Sequence, residues 1–230
     1  MAQSYRDEDD VAVIDDLTRY MRHPSYIRIN GRPLLLIYEA SRFPDIRRTI
    51  DRWREQCRRD AIGEIYLAMV ETDTILLRPS GISPREWGFD GMVEFPPHQG
   101  GWYPFAAGVD PEFRGHVYSY DPTAVRYMTR SLPGYPLFRT VMPGWDNTAR
   151  RPNDSAIFAG STPGAYQAWL ECVLRQTREQ HFGDEQLVFV NAWNEWAESA
   201  YLEPDVAWGH GYLEATRDAR INARLRLHPD

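Results

Sequence analysis

At 230 residues, with 43% hydrophobic and 26% charged residues, the chain can bury a sizeable core and reads as one domain over residues 1–230. A net charge of −7 gives it no global attraction for nucleic acid or an anionic membrane surface. No apolar run approaches the ~20 residues of a membrane span, and acidic residues 1–10 lack the apolar region of a signal peptide.

In chain order, Val11, Ile14, Leu17 and Met21 share one face of a predicted helix whose first turn carries Asp7 to Asp10, where the helix dipole favours acids. Gly31-Arg32-Pro33 punctuates, and residues 34–38 read as a buried strand because every position is apolar. Pro44 opens a helix with the stripe Ile46, Ile50, Trp53 and Cys57; Gly63 ends it, and residues 65–70 form the second strand. A third strand, 92–95, follows Trp87-Gly88-Phe89-Asp90, and an aromatic, glycine- and proline-rich loop runs from 96 to about 120. Asp121 and Pro122 signal the next helix as cap and first turn, and residues 137–142 form a fourth strand running into Pro143-Gly144-Trp145-Asp146-Asn147. Thr162-Pro163 starts the clearest helix, striped by Tyr166, Trp169, Leu170, Val173, Leu174 and Thr177. Residues 187–192 are the fifth strand and 212–225 the last helix.

Buried strands alternating with helices mean a parallel α/β protein with its site at the C-terminal ends of the strands. Glu39, Glu71, Glu94, Trp145-Asp146-Asn147 and Asn194-Glu195 all fall at such exits, which suits a (β/α)8 TIM-type barrel better than an open sheet. Eight strands and ~250 residues are the norm for that fold, so a count of about five strands conflicts with a full barrel.

The chemistry concentrates in Trp193-Asn194-Glu195-Trp196-Ala197-Glu198. Two carboxylates three residues apart on a helical turn share a face, with Cβ atoms ~5–6 Å apart. That is close to the ~5–5.5 Å between the carboxyls of retaining glycosidases. Large apolar rings beside them supply flat surfaces for a sugar and raise a carboxyl pKa towards working pH. Asn191 and Asn194 add hydrogen-bonding groups, and Tyr201, Glu203 and Asp205 follow as further hydroxyl ligands. His98, after Glu94-Phe95-Pro96-Pro97, can bind hydroxyls or relay a proton, and Trp87, Trp102, Tyr103 and Trp145 are stacking candidates. Each of these also has a structural reading as core, capped loop or exposed turn.

Cys57 and Cys172 fall on apolar helix faces and read as free thiols, which fits a reducing, cytoplasmic setting. No cofactor and no metal are expected: phosphate-loop, zinc and nucleophile-elbow motifs are absent, and Gly209-His210-Gly211 lacks a third glycine. Asp7-Glu8-Asp9 has the form of a metal-holding Asp-x-Asp, but its place at a helix start reads as a charged terminus.

The run Trp193-Asn194-Glu195-Trp196-Ala197-Glu198, continuing through Tyr201-Leu202-Glu203-Pro204-Asp205, resembles the glycoside hydrolase family 99-like group, which includes WbsX-type proteins of polysaccharide biosynthesis loci. Tyr26 to Leu35, Phe89-Asp90 through His98, and Gly211-Tyr212-Leu213-Glu214-Ala215 extend the similarity over nearly the whole chain. The resemblance implies a (β/α)8 barrel acting on glycans, with retaining cleavage of internal α-mannosidic bonds in characterised family 99 enzymes. It implies that Glu195 takes the proton of the sugar 2-hydroxyl, and that Glu198 protonates the leaving oxygen and then activates water. From the reading of the residues themselves, the substrate-binding candidates are Trp193, Asn194, Trp196, Tyr201, Glu203, Glu94, His98 and Trp145. Two departures stand out: Ser199 occupies a position commonly glycine in the group, and Ala2-Gln3 match a point well inside the family domain, so the resemblance implies a barrel lacking its first two or three βα units.

Three functions follow: a glycoside hydrolase, a glycosyltransferase-like protein of surface polysaccharide assembly, or a non-catalytic glycan-binding remnant. The expected partner is an oligosaccharide or polysaccharide. An incomplete barrel would leave apolar surface uncovered, so self-association is also expected.

Overall fold

The structure is a computed structural model that describes residues 7–72, 83–98, 103–105 and 108–225. Its regular elements are α1 (Asp7–Met21), β1 (Arg28–Ile29), β2 (Arg32–Ile37), α2 (Ile46–Arg59), β3 (Tyr66–Val70), β4 (Gly91–Val93), β5 (His116–Ser119) and α3 (Tyr120–Thr129). There follow β6 (Leu137–Val141), β7 (Trp145–Asp146), β8 (Ala156–Ala159), α4 (Pro163–Gln180), β9 (Val188–Val190), β10 (Asn194–Glu195), β11 (Ala200–Tyr201) and α5 (Gly211–Leu225). The chain divides into two compact units, Met1–Glu94 with Pro133–Phe138 and Phe182–Glu185, and Phe95–Leu132 with Arg139–His181 and Gln186–Asp230.

In the first unit β2, β3, β4 and the start of β6 pair in parallel, and β1 pairs with β2 in antiparallel fashion. Every residue of β3 and β4 is buried, the signature of parallel strands covered on both faces. Gly91 is required at its position: a Cβ there would lie 3.0 Å from the Tyr66 hydroxyl and 3.1 Å from the Pro136 carbonyl oxygen. Asp90 ties this sheet together. Its carboxylate accepts from the Leu67 backbone N–H at 2.9 Å, from Arg32 at 2.7 Å and from Arg54 at 3.0 Å. The Phe89-Asp90 motif therefore has a structural duty here.

The α1–α2 pair is held by Asp10, whose buried carboxylate accepts from Thr49 at 2.9 Å and Arg52 at 2.7 Å, while Trp53 donates to its backbone carbonyl at 2.9 Å. The acidic run at the chain start is thus a helix start, with one member serving as an inter-helix anchor. Asp45, one residue after Pro44, caps α2 by accepting the Arg48 N–H at 3.0 Å.

In the second unit the rest of β6 pairs in parallel with β9, Val141 opposite Val190. A separate sheet joins β5 and β8 in parallel and β8 and β7 in antiparallel fashion, and β10 and β11 form a hairpin. Helices α3, α4 and α5 cover a core of Tyr120, Tyr127, Val141, Met142, Trp145, Tyr166, Trp169, Ala200 and Leu202. Thr162 caps α4 by accepting the Ala165 N–H at 3.1 Å, with Pro163 in its first turn as the sequence suggested. Helix α3 begins two residues earlier than expected: Ser119 holds the cap position and Asp121 falls in the first turn. Tyr120 uses its place there to donate to the Met142 carbonyl at 2.6 Å.

The fold is α/β with mostly parallel core strands. The five strands expected from apolar runs correspond to β2, β3, β4, β6 and β9. A complete eight-stranded barrel is not formed by the described residues. The remaining strands are two to four residues long and lie where loops were expected.

Candidate functional site

Strand β9 ends at Val190, and the chain then turns through Asn191, whose backbone N–H donates to the Val141 carbonyl at 2.9 Å. Its side-chain amide donates to the Pro96 carbonyl at 2.9 Å, which ties the His98-bearing turn to the end of β9. Asn191 is therefore a brace for the site, where the sequence offered it as a ligand.

The β10–β11 hairpin presents the carboxylates. Asn194 pairs with Tyr201 and Glu195 with Ala200, and the Leu202 N–H donates to the Trp193 carbonyl at 2.9 Å. Ala200 and Leu202 are buried in the core and anchor the hairpin. Cross-strand partners point to the same face, so Glu195 lies on the inner side with Ala200. Glu198 follows in a 3₁₀ turn, Trp196–Glu198, for which Glu195 is the cap residue. The expected helical turn is a 3₁₀ turn of three residues, with Glu195 just before it in β10 and Glu198 as its last residue. Ser199 closes the turn in the left-handed region, φ 49° and ψ 30°, a conformation that glycine adopts without penalty. That geometry explains why glycine suits this position in the resembling group.

Glu198 is the carboxylate with a perturbed environment. Its side chain is 19% exposed, and Arg150 donates to its Oε1 at 2.7 Å. Burial pushes its pKa above the ordinary carboxylate range and the charge of Glu195 pushes the same way, while Arg150 and His98 oppose them. Such a group keeps its proton to higher pH than a solvated glutamate, as a general acid must. Arg150 escaped the sequence reading. Its only signal there is its place three residues beyond the Trp145-Asp146-Asn147 strand exit.

His98 acts on Glu198 through its charge and stacks on Phe95 with centroids 5.1 Å apart, and Tyr127 donates to its backbone carbonyl. Trp193 and Trp196 are 54% and 48% exposed, which leaves ring surface open beside the carboxylates. Trp196 already stacks on Tyr201 at 3.8 Å, and its indole N–H donates to Glu203 at 2.6 Å. The Tyr201 hydroxyl donates to Asp205 at 3.0 Å, and burial and that carboxylate push its pKa up to about 12. Tyr201, Glu203 and Asp205 are therefore engaged in shaping the hairpin and its following loop.

Trp145 is buried in the core of the second unit, and Asn147 accepts the Ala156 N–H at 2.8 Å to fix β7 against β8. Glu94 is fully buried at the end of β4 in the first unit, and Glu39 and Glu71 also belong to that unit. Tyr103 is 40% exposed in the second unit, and Trp87 closes a 3₁₀ turn, Pro84–Trp87, in the first. Trp102 lies outside the described residues.

The sequence matches the family model "Glycosyltransferase WbsX" over residues 1–216. The chain belongs to the WbsX family. Two curated proteins named "Uncharacterized protein WxcX", from Xanthomonas campestris pv. campestris strains B100 and ATCC 33913, are each 40% identical to this WbsX-family chain over 224 residues. The alignment takes in 96% of this chain and 31% of each relative, so the chain spans about a third of the length of the curated relatives it matches. A solved structure titled "Glycoside hydrolase-like protein" is similar in fold, with a TM-score of 0.59 at 14% identity over 94% of this chain and 62% of that one. No helix among the described residues is long and apolar enough to cross a membrane, and no His, Cys, Asp and Glu among them cluster as metal ligands.

Proposed function

We propose that this WbsX-family chain carries the acid–base pair of a protein that breaks or forms glycosidic bonds with retention. The observation that carries the reading is Glu198: mostly buried, held by Arg150, raised in pKa, and three residues after Glu195 in a run that carries two exposed tryptophans. Glu195 takes the proton of the sugar 2-hydroxyl, and that oxygen attacks the anomeric carbon as the glycosidic bond breaks. Glu198 gives its proton to the leaving oxygen. The resulting 1,2-anhydro sugar is opened at the anomeric carbon by a hydroxyl that Glu198 deprotonates, and Glu195 returns its proton to the 2-oxygen. Each step balances with the two carboxyls alone. Internal α-mannosidic bonds are the substrate class that the resemblance to family 99 enzymes suggests.

The incoming hydroxyl decides between two activities. Water gives hydrolysis; a sugar hydroxyl gives transfer, which the family's description as a glycosyltransferase favours. The exposed Trp193 and Trp196 rings suit an acceptor sugar as well as a donor.

Glu198→Gln removes the transferable proton while keeping the shape. Turnover of a mannan or mannoside substrate by a form that includes this chain is expected to fall by about 10²–10⁴. Turnover at the wild-type level would remove Glu198 from the role. Product analysis with and without an added sugar acceptor separates hydrolysis from transfer, and strict dependence on a nucleotide-linked donor would overturn the two-carboxylate reading.

A further inference from the structure

Behind the catalytic hairpin, within the second unit, lies a cavity of about 270 Å³ whose lining includes Trp145, Asp146, Ser161, Tyr201, Trp208 and Tyr212. Neither Glu195 nor Glu198 lines it, so it is separate from the carboxylate pair. The hairpin forms one wall: Ser199 lines the cavity, and the Ser199 carbonyl oxygen is 3.0 Å from where a Cβ on Gly144 would sit.

We infer that this cavity is a second saccharide subsite, holding one neutral pyranose against the back of the hairpin. Two observations point there, an open acceptor and an aromatic lip. The Trp145 indole N–H is buried without a hydrogen-bond partner behind the lining and serves as a local reporter of occupancy. Asp146 uses Oδ1 to accept the Thr148 N–H at 2.9 Å, and its Oδ2 accepts no hydrogen bond among the described residues, an open acceptor. An open acceptor beside aromatic rings matches a hydroxyl on a sugar ring. Trp208, 47% exposed, gives an aromatic lip, and its backbone N–H is fixed by Asp205 at 2.5 Å.

The charge of the lining selects the ligand class. Asp146 and Asp205 face the space and no lysine or arginine lines it, so a phosphate or nucleoside diphosphate is disfavoured. The volume lies just below the usual range of ~300–1,000 Å³ for drug-sized ligands, which fits a single ring. The subsite rests on the glycan reading only for the class of its ligand. It would anchor a sugar unit of the chain being cut or extended.

The test is binding, not turnover. Methyl α-mannopyranoside and methyl α-glucopyranoside are titrated into the chain while the Trp145 indole N–H resonance is followed, with uridine diphosphate as the anionic control. Saturable shifts with a dissociation constant on the order of 1 mM are expected for a methyl hexoside and none for the nucleotide. Asp146→Asn keeps the Oδ1 that holds the Thr148 turn but loses the carboxylate, and Ala207→Phe closes the mouth from an exposed position on the lining. Each is expected to weaken hexoside binding at least about tenfold, the measure of one good charge-assisted contact. Glu198→Gln is expected to leave it unchanged, so failure of the catalytic reading and failure of the subsite are distinguishable. Absence of a saturable Trp145 shift, binding unaffected by both cavity variants, or tighter binding of the nucleotide would each overturn the subsite.

Discussion

Glu198 experiences opposed influences. Burial is the largest, and it favours the neutral acid; Arg150 favours the anion, and Glu195 and His98 pull in opposite directions. Replacing Arg150 with Ala removes the strongest of the influences that lower the pKa, so the Glu198 pKa is expected to rise further. An acid works only while protonated, so the high-pH limb of activity is expected to move upward in that variant, and weaker orientation is expected to lower the maximal rate. Carbon-detected titration of the Glu198 carboxyl gives the same information without an assay. The sign for stability follows: a folded pKa above the unfolded one favours the fold at low pH, and this contribution is lost as pH rises through the raised value. A Glu198 that titrates in the ordinary carboxylate range in both proteins would end this account.

At the scale of elements, the legible features were those with a repeating physical cause. Strands β2, β3, β4, β6 and β9 announced themselves as apolar runs because both faces of a parallel strand are covered. Helix α4 announced itself by Thr162, Pro163 and a stripe with helical period. Strands β5, β7, β8, β10 and β11 have two to four residues each, too few for a period, and exist because neighbours supply their hydrogen bonds. The glutamate pair stands out in the sequence because the tryptophans sit beside it. The Arg150 contact was not, because 48 residues separate it from Glu198. Glu94 looked like a site residue because it follows a strand, but the strand end it occupies is fully buried. The hairpin turn carries its own prediction. Ser199 at φ 49° bears a steric cost that glycine does not, so Ser199→Gly is expected to stabilise the chain by about 1 kcal/mol in urea denaturation. The glycine's extra freedom in the unfolded chain works against that gain. A net loss would show that the serine side chain contributes more to the turn than its backbone geometry costs.

At the scale of the whole molecule, β9 is the strand whose burial does not match its composition. Val188, Phe189 and Val190 are all apolar, yet each is only partly buried, whereas all five residues of β6 are fully buried. Among the described residues β6 is its sole ladder partner. A continuous apolar strand at the end of a parallel array invites pairing with further chain. The curated relatives, about three times as long as the aligned region, have more chain to offer. Alone, this chain is expected to self-associate at concentrations of about 10–100 μM, where exposed strand edges become aggregation-prone. Phe189 projects to the opposite face from Val188 and Val190, which pack against the core of the second unit. Phe189→Lys therefore adds a charge to the edge strand while leaving the core-facing residues in place, and it is expected to restore a monomer in sedimentation velocity. A wild-type chain that sediments as a monomer throughout that range would show that β9 is covered well enough as it stands. The partial burial of its three residues would then mark a strand the fold tolerates at its edge, with no contact left to complete.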